Sequence, residues 1–110
     1  EEGGARAAVK LLDKGEKPTA IIAANDLMAI GVMHALMDHG LSIPDEIAVA
    51  GFDDIPAARL VSPSLTTVTQ FQNSLGAQAA HALVERLNGT AIGPGRATQQ
   101  PYRIIERLST

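Results

Sequence analysis

The amino-acid sequence predicts an α/β fold in which a mostly parallel sheet is layered with helices. Two observations carry that prediction. Short, continuous apolar runs (AIIAA at 20–24, IAVAGF at 47–52) alternate with longer stretches whose apolar residues recur at helical spacing. The core must also be aliphatic. Hydrophobic residues make up 45% of the chain and aromatic ones only 3%, which suits helices packed closely on a sheet. At 110 residues the chain is long enough for one small domain.

Each element follows in order. Ala5, Ala8, Val9 and Leu12 fall on one helical face, and Gly15 is placed to end that helix. Lys17-Pro18 is a turn. Residues 20–24 then read as a strand covered on both faces. A helix over roughly 26–39 follows, closed by Gly40. It carries two apolar stripes: Ala29, Val32 and Leu36 on one, and Ile30, Met33 and Met37 on the other. One stripe can pack on the sheet. The second needs other cover, either from within the domain or from another subunit. LSIPDE is a connector, and residues 47–52 form a second buried strand ending on Asp53-Asp54. Pro56 suits the first turn of a short helix over about 56–61, which Ser62-Pro63 breaks. LTTVT (65–69) is β-branched and reads as a third strand, ending on Gln70. A longer helix, about 73–88, aligns Leu75, Ala79, Leu83 and Leu87 and stops at Asn88-Gly89. A loop leads to a last strand around YRII.

Ligands of parallel α/β sheets bind beyond the carboxyl ends of the strands. Three successive strands here end on a polar side chain: Asn25, Asp53 and Gln70. Part of this polarity is explained by helix capping. The expectation is that Asp26 and Asp54 cap the following helices while Asn25 and Asp53 face the crevice. An Asp that accepts and two amides that both donate and accept suit a ligand rich in hydroxyl groups, such as a sugar.

Other chemistries find less support. Nine Lys and Arg stand against twelve Asp and Glu, a net charge of -3 with no basic block, so the footprint of a nucleic-acid surface is missing. His34 and His39 are five residues apart and do not share a helix face, and no metal or other cofactor is expected. Asp53-Asp54 suggests a Mg²⁺-dependent phosphotransfer or receiver-like site, but no Gly-rich phosphate loop or placed Lys accompanies it. There is no G-x-S-x-G elbow, no cysteine, and no apolar run of membrane-spanning length. An enzyme is not expected.

The stretch PTAIIAANDLMAIGVMHALMDHGLSIPDEIAVAGFDD, followed by SPSLTTVTQ and a closing ERLST, resembles the lactose-repressor/galactose-repressor family of bacterial transcription regulators. The resemblance implies a cytoplasmic regulator with a periplasmic-binding-protein-like effector core, of which this chain is an incomplete part, mostly the C-terminal subdomain. Residues 1–69 would belong to that subdomain. Residues 70–92 would form a crossover and a helix of the N-terminal subdomain, and residues 93–110 a return segment and last strand. The resemblance implies effector contacts at Asn25, Asp53 and Gln70. It implies a homodimer interface at Ile30, Met33, His34 and Leu60, and DNA binding only through a helix-turn-helix unit outside this chain. A periplasmic-type sugar-binding protein or receptor domain of the same fold is the alternative.

Overall fold

A computed structural model describes residues 1–110. The order of elements is α1 (Glu2–Asp13), β1 (Ala20–Ile22), α2 (Asp26–Asp38), β2 (Ala48–Ala50), a 3₁₀ turn (Pro56–Arg59), β3 (Thr67–Thr69), α3 (Gln72–Leu87) and β4 (Arg103–Ile105). These elements divide into two units: residues 1–69 with 104–110, and residues 70–103.

In the first unit β1 and β2 pair in parallel, with Ala20, Ile21 and Ile22 opposite Ala48, Val49 and Ala50. A parallel bridge from Ala50 to Thr66 brings up the chain entering β3, which pairs with β4 in a second small sheet. Val49, in the middle of β2, is fully buried. β1 departs from expectation. Ile21 packs toward the core, but Ile22 is 82% exposed, so the strand is covered on one face only. Strand side chains alternate in direction, and β1 has a hydrogen-bonded neighbour on one side alone.

α2 is buried nearly all round its middle, from Ala29 to Met33 and again at Ala35 and Leu36. Of its second stripe, Ile30 and Met33 therefore find cover inside the chain, while Met37 does not. α1 lies across α2 so closely that a Cβ on Gly4 would come within 2.1 Å of the Met28 carbonyl oxygen. A Cβ on Gly31 would come within 2.0 Å of that of Glu1. Ile30 and Met33 are 5% and 1% exposed within the chain, whereas α1 meets α2 on the face of Met28 and Gly31. His34, Met37 and Leu60 remain exposed. Both helices end as the sequence predicts, with Gly15 and Gly40 at positive φ just past the last turn.

The chain's last residues close the first unit. Ser109 is fully buried, and its hydroxyl donates to the Val49 carbonyl at 2.6 Å and accepts the Thr66 N–H at 2.8 Å. Its own carbonyl accepts the Val49 N–H at 2.8 Å. One small side chain thus satisfies backbone groups of two adjacent strands that would otherwise be buried without partners.

The second unit is α3 and the loop after it. No residue of α3 is buried, and Leu83 and Leu87 lie open along its face. Arg86 donates to the carbonyls of Gly93 and Pro94, both at 2.6 Å, which ties the loop to the helix. Arg96 pairs with Glu85, and its hydrogen bond and charge hold the Glu85 carboxyl below the usual carboxylate range.

Candidate functional site

The parallel register continues past the strands as defined and brings two strand ends together. Ala23 N–H donates to Ala50 O and Gly51 N–H to Thr66 O, both at 2.9 Å. One step further, Asp26 N–H donates to Phe52 O and Asp53 N–H to Val68 O, again at 2.9 Å. The Asn25-Asp26 end of β1 therefore sits beside the Phe52-Asp53 end of β2, which sits beside β3. Asn25 and Asp53 are both half-buried. Gln70, the third sequence candidate, is also half-buried and follows β3 as the first residue of the second unit.

The structure overturns both capping assignments and reverses the first. Asn25 is the N-cap of α2, and its Oδ1 accepts the Met28 N–H at 2.9 Å. A short amide at extended φ and ψ does this as well as a carboxylate. Asn25 uses its oxygen in the cap, which leaves an NH₂ group as its donor. Asp26 is not a cap. It is fully buried, with Oδ2 accepting from Ile55 N–H at 2.9 Å and Oδ1 from the Thr67 hydroxyl at 2.5 Å. Asp54 does not cap the 3₁₀ turn either: Ile55 takes that position, without a side-chain cap. Asp54 instead receives Arg107 Nη2 at 2.5 Å, while Arg107 Nη1 donates to Leu65 O at 2.7 Å.

The turn that carries Asp53 is strained. Asp53 has φ 114° and Asp54 φ 52°, both in the region that disfavours side chains with a Cβ. Such residues persist only where their surroundings hold them, and they gather at functional sites. Here three groups hold the turn: Thr67, Asp26 and Arg107. Asp54 N–H donates to Thr67 Oγ1 at 3.3 Å, Ile55 N–H donates to Asp26 Oδ2, and the Asp54 carboxylate accepts from Arg107. Thr67 and Arg107 escaped sequence reasoning because a Thr in a β-branched run and a single Arg in a tail carry no local signal.

This strain has a direct test. Asp53→Gly is expected to be more stable than Asp53→Ala by about 1–2 kcal/mol, because glycine accepts positive φ and alanine does not. Both variants lose the same carboxylate, so the difference in urea midpoint isolates the backbone. Equal midpoints would show that the turn relaxes without cost.

Two other features bear on the site. No group of three or more His, Asp or Glu side chains is arranged to hold a metal ion, and Asp54 is committed to Arg107. A concavity of about 770 Å³ lies within the second unit along α3 and residues 95–100. It is an open trough beside a helix with no buried residue, and it includes none of the three strand-end candidates. No helix is long and apolar enough to cross a membrane.

Comparison with known proteins gives a consistent result. The model of the periplasmic binding protein-like domain family matches residues 1–110. The chain is 38% identical over 109 residues to catabolite control protein A of Priestia megaterium, covering 99% of this chain and 32% of that protein. It is 48% identical over 88 residues to a lactose operon repressor of Rhizobium radiobacter, covering 80% of this chain and 78% of that one. Among solved structures, the complex of the transcriptional regulator CelR with cellobiose superposes with a TM-score of 0.91 at 32% identity, covering 97% of this chain and 32% of that one. The chain thus spans about a third of the first of these relatives. A family model that matches residues 1–110, together with these relatives, places the chain in the periplasmic binding protein-like family, in the branch formed by the lactose-repressor/galactose-repressor transcription regulators.

Proposed function

We propose that this chain is the effector-sensing and dimerising part of a bacterial transcription regulator, and that its effector is a sugar or a similar polyol. The observation that carries the reading is the juxtaposition of Asn25 and Asp53 at the carboxyl ends of β1 and β2, joined by the Asp26 N–H to Phe52 O bond. Asp53 accepts hydroxyl protons from the effector, and Asn25 donates from the NH₂ group its cap leaves over. Gln70 belongs to the same set on its sequence motif. The cellobiose complex of a structural relative supports the choice of a saccharide.

On this reading residues 1–69 belong to the C-terminal subdomain of the effector core, residues 70–92 to a crossover and helix of the N-terminal subdomain, and residues 93–110 to the return. The protein is a cytoplasmic homodimer without catalytic activity. Its dimer face draws on the exposed His34 and Leu60, the latter 83% exposed. DNA is read by a separate helix-turn-helix unit, and effector binding reaches that unit by linkage between two orientations of the subdomains.

A thermal-shift screen on the full-length regulator tests this, with cellobiose, lactose and their monosaccharides as probes. A binding sugar at a hundred times its Kd adds about 2.7 kcal/mol and raises the midpoint by a few degrees. Asp53→Ala is expected to remove most of that shift. A regulator whose midpoint answers to no sugar, and only to another ligand class, would remove the polyol from the proposal.

A further inference from the structure

We infer that Asp26 is a positioning residue, whose buried carboxylate holds the strained turn at 53–55 and so sets where the Asp53 side chain is presented. For its effect on ligand binding the inference rests on the role proposed for Asp53. For its effect on the turn it rests on geometry alone.

Three features make Asp26 a built fitting. First, Asp26 has no capping task, because Asn25 performs it. A fully buried carboxylate with no local duty needs another explanation. Second, its two oxygens are divided between two elements. Oδ2 takes the N–H of Ile55, immediately after the strained pair, and Oδ1 takes the hydroxyl of Thr67 on β3. Thr67 Oγ1 in turn accepts the Asp54 N–H, so Asp26 and Thr67 together engage two successive backbone N–H groups of the turn. Only an acceptor at both oxygens serves these two donors, since an Asn would turn an NH₂ toward one of them. Third, the space is kept open by Gly51. A Cβ there would stand 2.3 Å from Asp26 Oδ1 and 3.1 Å from Asp26 Cα. The position of Asp26 in the first turn of α2 also favours a negative group through the helix dipole.

The consequence is a mechanical link between neighbouring strand ends. Asn25, Asp26, Asp53 and Ile55 form one connected unit, so the candidate contact on β2 is oriented by the residue that follows the candidate contact on β1.

The experiment compares Asp26→Asn, Thr67→Val and Thr67→Ser with the unmodified chain by amide hydrogen exchange. Asp26→Asn and Thr67→Val are expected to speed exchange at Asp54 and Ile55 by about tenfold or more, the scale of one lost hydrogen bond. The core amides of Val49 and Leu36 should keep their rates once global stability is matched. Thr67→Ser, which restores the hydroxyl, is expected to restore protection. A residue that is merely structural would move all these amides by one common factor. Unchanged exchange at Asp54 and Ile55 overturns the inference. So does a common-factor acceleration.

A second arm uses cellobiose and lactose as probes on the full-length regulator. Thr67→Val is expected to weaken the sugar that binds by about three- to tenfold, with Thr67→Ser close to wild type. If Asp53→Ala weakens that sugar and Thr67→Val does not, positioning of Asp53 by this link is refuted. If Asp53→Ala itself changes nothing, the function proposed for Asp53 fails instead, and the exchange result decides the role of Asp26 in the turn.

Discussion

Arg107→Met is expected to destabilise the first unit by about 3 kcal/mol, read as a fall in the urea midpoint at unchanged slope. The Arg107 and Asp54 side chains are only 13% and 17% exposed. The guanidinium serves Asp54 and the Leu65 carbonyl at once. Its removal leaves a mostly buried carboxylate and a carbonyl without that partner, beside a turn already at positive φ. Methionine keeps most of the stem's packing, so the loss reports the pair and not the volume. Asp54→Asn is expected to cost less, because the amide oxygen still accepts from the guanidinium. If Arg107→Met falls within about 0.5 kcal/mol of the unmodified chain, the range of an ordinary surface change, the tail does not brace the turn.

Gly4→Ala is expected to cost about 2–3 kcal/mol, as an overpacking change that neither helix can absorb locally. Alanine is the better helix former, so propensity alone predicts the opposite sign. The packing term wins because the added Cβ would meet the Met28 backbone at 2.1 Å, and backbone cannot rotate away. α1 must lift from α2, which uncovers the buried Ala8 on the same face of α1 as Gly4. Gly3→Ala, one residue away with nothing within 4 Å of its Cβ, is the matched control and is expected to be neutral or stabilising. Two variants of equal stability would mean that α1 does not lie on α2 in this way.

Much of the fold was legible because it rests on local pattern. Apolar runs gave β1 and β2, helical periodicity gave α2 and α3, and Gly15, Gly40 and Gly89 marked helix ends where positive φ is required. The strand-end candidates were legible for the same reason: each is the first polar residue after an apolar or β-branched run. What the pattern could not decide was which polar neighbour does what. Asn25 and Asp26 are both short acceptors, and either can cap a helix. The choice is made by Gly51, Ile55 and Thr67, residues 25 to 41 positions away in the chain. Periodicity likewise showed that Ile30 and Met33 lie on an apolar stripe, but not that the chain itself covers them. Arg107 is invisible to any pattern, because its partner Asp54 lies 53 residues earlier.

The most direct measurement is a calorimetric titration of the full-length regulator, and of its Asp53→Ala and Asn25→Ala variants, with the sugar that stabilises it in the thermal screen. Both variants should stay folded and keep operator binding in the absence of sugar. Asp53→Ala is expected to lose about 1.5–3 kcal/mol of sugar affinity, the scale of hydrogen bonds to a charged group. Asn25→Ala is expected to lose a similar or smaller amount, together with about 1 kcal/mol of stability from the missing cap. Sugar affinity unchanged in Asp53→Ala, in a variant shown to be folded, would contradict an effector site at these strand ends.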